Sequence, residues 1–102
     1  MTEETLIRFI RRIVDTSPSY RQAELALKNL RRILAEQNAD PAFLKLLDGL
    51  CEDAFTDFPE EGFGALRRTL SSTQDQTEAS VRRAVQAARE ARREAGYRQG
   101  RC

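Results

Sequence analysis

Apolar residues recur along this chain at intervals of three and four, the spacing that lays one face of an α-helix against a core. Leu6, Phe9, Ile10 and Ile13 carry that spacing first, with Ile7 and Val14 widening the stripe and Arg8, Arg12 and Asp15 opposite it. Thr2 is placed to cap this helix, and Glu3 and Glu4 suit the positive end of its dipole. The pattern predicts a helix from Glu3 to Val14, broken by Thr16-Ser17-Pro18-Ser19.

Ser19 followed three residues later by Gln22 resembles a capping box. The next helix, to about Gln37, is expected to bury Tyr20, Ala23, Leu27, Leu30 and Leu34, a heptad seam too short for a long coiled coil. Asp40-Pro41 starts a third, since aspartate caps well and proline fits the first helical position. Phe43, Leu44, Leu46, Leu47, Leu50, Cys51, Ala54, Phe55 and Phe58 cover about half of its circumference. It is therefore the expected central helix, with Phe43, Leu47, Leu50, Cys51 and Ala54 in the core.

Phe58-Pro59 reads as a turn, and a shorter fourth helix follows from about Glu60 to Leu70, weakened at its start by Gly62 and Gly64. Ser71 to Gln76 is polar and reads as a loop. A fifth helix begins near Asp75 or Thr77 and is expected to stop at Gly96. Its apolar face, Val81, Ala84, Ala88, Ala91 and Ala95, is thin. The fold class is thus all-α: a compact bundle of about five helices, the last polar and rich in arginine and alanine. Residues 1–96 form one helical domain in this reading, and residues 97–102 a flexible tail.

Charge changes this picture more than composition does. The net charge of +1 conceals a segregation. Residues 1–35 hold seven basic and four acidic side chains, residues 36–61 hold eight acids and only Lys45, and residues 62–102 hold nine arginines and four acids. Segregation of this kind can build a strong local field in a nearly neutral molecule.

Chemistry is harder to find. Histidine is absent, which removes the commonest general acid–base group near neutral pH and a favoured metal ligand. Cys51 lies on the apolar stripe and reads as a core residue, whereas Cys102 is terminal. Two cysteines without a framework suggest free thiols in a reducing compartment. Asp48, Glu52, Asp53 and Asp57 resemble the helical carboxylates that hold magnesium in some helical phosphohydrolases. They project from a solvated face, however, and such sites need acids converging from two helices. Gly62-Phe63-Gly64 lacks a phosphate-loop pattern. The expectation is no catalytic residue, no metal and no cofactor.

The arginines are more telling. Arg82, Arg89 and Arg93 align on the fifth helix, with Arg83 and Arg92 beside them. The leading expectation is a small cytoplasmic regulatory or adaptor protein acting by protein–protein contact, a homodimer among its forms. Its contact residues would be Arg82, Arg89 and Arg93, with Asp48, Glu52 and Asp53. The alternative is a nucleic-acid-binding protein that uses the arginine-rich faces of helices 1, 2 and 5. No apolar run is long enough to span a bilayer, and the N-terminus lacks a basic leader with an apolar stretch.

Overall fold

A computed structural model describes residues 2–73 and 77–100. It is an all-α bundle of five helices: α1 (Glu3–Thr16), α2 (Tyr20–Glu36), α3 (Pro41–Phe55), α4 (Pro59–Ser72) and α5 (Glu78–Gly100). Local chemistry sets most of the boundaries. The side chains of Thr2, Ser19 and Asp40 accept hydrogen bonds from the backbone N–H groups of Thr5, Gln22 and Ala42. Asn38 adopts a left-handed conformation after α2, and the N–H groups of Asn38 and Ala39 close back onto the Ala35 and Leu34 carbonyls.

Contacts between elements fix the directions. Arg31 meets Asp48 while Glu24 shares a cleft with Phe55 and Thr56, so α2 and α3 run antiparallel. Arg11 reaches Leu70 while Arg67 reaches Val14, so α1 and α4 do as well. α4 and α5 form an antiparallel pair, Gly62 near the start of one lying by Arg92 toward the end of the other, and α5 runs parallel to α3, with Glu78 by Ala42 and Arg89 on Asp53.

The core lies between all five helices. Leu6, Ile7, Ile10, Val14, Leu27, Leu34, Leu47, Leu50, Leu66, Leu70 and Val81 are its large buried side chains. Three sequence expectations are corrected. Phe9 is 44% exposed, because the buried stripe of α1 is centred on Leu6, Ile10 and Val14, about 100° around the helix from Phe9. Phe43 and Cys51 pack against the core from its margin and are half-buried. Gly96 does not stop α5; it sits beneath the Phe58 ring, and the helix takes in residues 97–100 that read as a tail. Asp75 and the other residues of 74–76, where the sequence predicts a loop, lie outside the described residues, as do Arg101 and Cys102.

Arginine closes several helix ends that lack a basic residue of their own. Arg67, stacked 4.6 Å over the Phe63 ring, donates to the Val14 and Ser17 carbonyls at the end of α1. Arg11 returns the favour at the end of α4, donating to Leu70 at 3.0 Å and Thr73 at 2.6 Å. Arg92 of α5 donates to the Asp53 carbonyl in the last turn of α3 and to the Asp57 carbonyl just beyond it. Unpaired carbonyls at a helix C-terminus attract such cations.

The α3–α4 corner is the strained point of the fold. Phe58 sits at φ 51°, ψ 53°, without the side-chain cap that starts α1, α2 and α3. A left-handed non-glycine residue costs about 1–3 kcal/mol. Burial of its ring side against α5 and the Arg92 hydrogen bonds hold it there.

Candidate functional site

α3 and α5 are parallel neighbours that leave a groove of about 420 Å³ between them. Its lining repeats at helical spacing on both sides, Ala42 to Asp53 on α3 and Glu78 to Arg89 on α5. At 1.5 Å per residue, that is about 16 Å, or three turns. Leu46, Gly49, Leu50 and Val85 make an apolar floor, and Lys45, Asp53, Glu78, Arg82 and Arg89 make a charged rim with Gln86. An apolar floor with a polar rim is the form of a helix-binding groove.

The thin apolar face of α5 is why the groove is open. Val81, Ala84, Ala88 and Ala95 are buried, but alanine carries little bulk to fill the space toward α3. Val85, one turn past Val81, is left as floor.

The predicted contact residues divide among three places. Arg82, Arg89 and Asp53 come together in the groove. Arg82 pairs with Glu78 at 2.9 Å, and Arg89 pairs with Asp53 at 2.6 Å, bridging α5 to α3. Asp48 lies on the other flank of α3, where Arg31 grips it through two hydrogen bonds of 2.8 and 3.2 Å, and Glu52 stands on the exposed ridge between the two flanks, at the edge of the α2–α3 cleft. Arg93 stands apart, at the corner formed by Asp57, Phe58, Arg89 and Arg92.

Residues that the sequence reading left out complete the groove. Lys45 was noted only as the lone cation of an acidic stretch, and Gly49 was not singled out at all. A glycine in the interior of a helix otherwise rich in leucine is the one sequence signal that could have found it.

A second cleft, of about 310 Å³, separates α2 from α3 and includes Cys51. Burial pushes the Cys51 thiol up to about 11, with the Glu24 carboxylate adding to the shift, so the group is protonated at neutral pH. Among the described residues no three histidine, cysteine, aspartate or glutamate side chains are arranged to hold a metal ion. No described helix is long and apolar enough to cross a membrane. No family model matches the chain, nor does any curated protein or solved structure.

Proposed function

We propose that this chain is a small non-enzymatic protein of the regulatory or adaptor kind, working by protein–protein contact, and that the α3–α5 groove is its contact face. The groove itself carries this reading. It is three turns long, apolar at its floor and charged along both rims, and it brings Arg82, Arg89 and Asp53 to one place.

The nucleic-acid alternative draws less support. A phosphate backbone is tracked by cations free to meet it. Here Arg8, Lys28, Arg32 and Arg82 are each paired with a glutamate one turn away on the same helix, and Arg89 is paired with Asp53.

The test compares the tagged wild-type chain with Gly49→Leu, which fills the groove, in extracts of the native cell. The expected result is a protein retained by the wild type and lost with the variant, both chains having the same helical spectrum. Equal retention by the two would overturn the groove as the contact face. Recovery of nucleic acid, with binding that falls steeply as salt rises, would favour the alternative.

A further inference from the structure

Gly49 has ordinary helical backbone in the middle of α3, and a Cβ at that position would meet nothing within 4 Å. Glycine in a helix interior is less favourable than alanine, because the unfolded chain loses more freedom on folding. The fold gains no packing from this missing side chain. A second backbone approaching α3 from outside does gain, since the crossing point is clear.

Charge along the same ridge has a direction. Lys45 precedes Gly49 by four residues and Glu52 follows it by three, which puts both on one edge of the helix. Both are exposed, and neither forms an ion pair with another described residue. The cation therefore stands one turn before the glycine, and the anion about one turn after it.

Building on the groove as the contact face, we propose that its occupant is a second copy of the chain. The two α3 helices lie antiparallel and cross at Gly49, each along the mouth of the other's groove. A two-fold axis at the crossing brings the turn before Gly49 in one copy against the turn after it in the other. Lys45 of each copy then meets Glu52 of its mate, so the pair forms twice. A parallel arrangement would set like charges side by side. Ala42, Leu46 and Val85 supply the apolar contact. That contact is small, which places the association in the weak, concentration-dependent class.

Sedimentation of the intact chain, from micromolar toward millimolar loading, tests this directly. The wild type should pass from the 11.6 kDa monomer toward twice that mass. Gly49→Leu should stay at the monomer mass. Lys45→Glu and Glu52→Lys should each stay monomeric alone, because each sets like charges across the axis. Mixed in equal amounts they should regain the dimer, because both cross-axis pairs are then opposite in charge. Circular dichroism of each variant confirms the fold.

A wild type that remains monomeric throughout would overturn the proposal, as would a mixture that fails to associate while the wild type dimerises. The groove reading fails separately. If the wild type is monomeric yet Gly49→Leu still loses a protein partner, the groove has another occupant. If neither effect is seen, both readings fall.

Discussion

α5 meets its two neighbours on opposite terms. Toward α4 the contact is closed: Gly62 of α4 is wedged between the Arg92 side chain of α5 and the Ala54 carbonyl at the end of α3, and Phe58, just ahead of α4, covers Gly96. Toward α3 it is open, with a groove of about 420 Å³ and a glycine, Gly49, where an added Cβ would touch nothing. The same residue type thus has two meanings. Gly62 is there because the fold has no room for a side chain. Gly49 is there although the fold has room for one, as the proposed contact face on the α3 side would require.

The largest expected effect is on the closed side. A Cβ at Gly62 would run into the backbone of Ala54, which cannot yield as a flexible side chain would. Gly62→Ala should destabilise the chain by about 1–3 kcal/mol, as overpacking of a tight contact does. Urea unfolding at unchanged slope measures it, and an unchanged midpoint would show that the α3–α4 contact is loose.

Two arginines on α5 sharpen the contrast at smaller scale. Arg92→Met keeps the stem and removes the donors to Asp53 and Asp57, leaving carbonyls unpaired at the strained corner. A loss of about 1–2 kcal/mol is expected from charged hydrogen bonds of this kind. Arg82→Met removes only an exposed pair with Glu78, 71% and 37% exposed, and should stay within about 0.5 kcal/mol. Equal losses from the two, in the same urea series, would erase the distinction between the sides.

Much of the fold was legible because its signals are local. Thr2, Ser19, Asp40 and Pro41 announce helix starts through atoms two or three residues away, and the predicted boundaries follow them. What escaped depends on the third dimension. An amphipathic stripe gives the period of a helix but leaves its centre free by about a residue, which is how Phe9 was read as buried. Nothing local marks Arg11 and Arg67 as helix-closing residues, since their carbonyl partners lie 50 to 62 residues away in the chain. Of the contact residues, Arg82, Arg89 and Asp53 were legible as charges. Their meeting in a groove was not, because nothing in the sequence says that α3 and α5 run side by side. Gly49 was visible from the start, but its meaning needed the empty space around it.

That space makes Gly49→Ala the most direct measurement. At a dilution where the chain is monomeric, alanine should improve α3 without meeting any neighbour, a gain of about 0.5–1 kcal/mol. For a domain of this size, the thermal midpoint should rise by roughly 2–8 °C. A midpoint that falls would show that the fold itself requires the glycine, and would contradict the reading of the α3 face as one kept open for a partner.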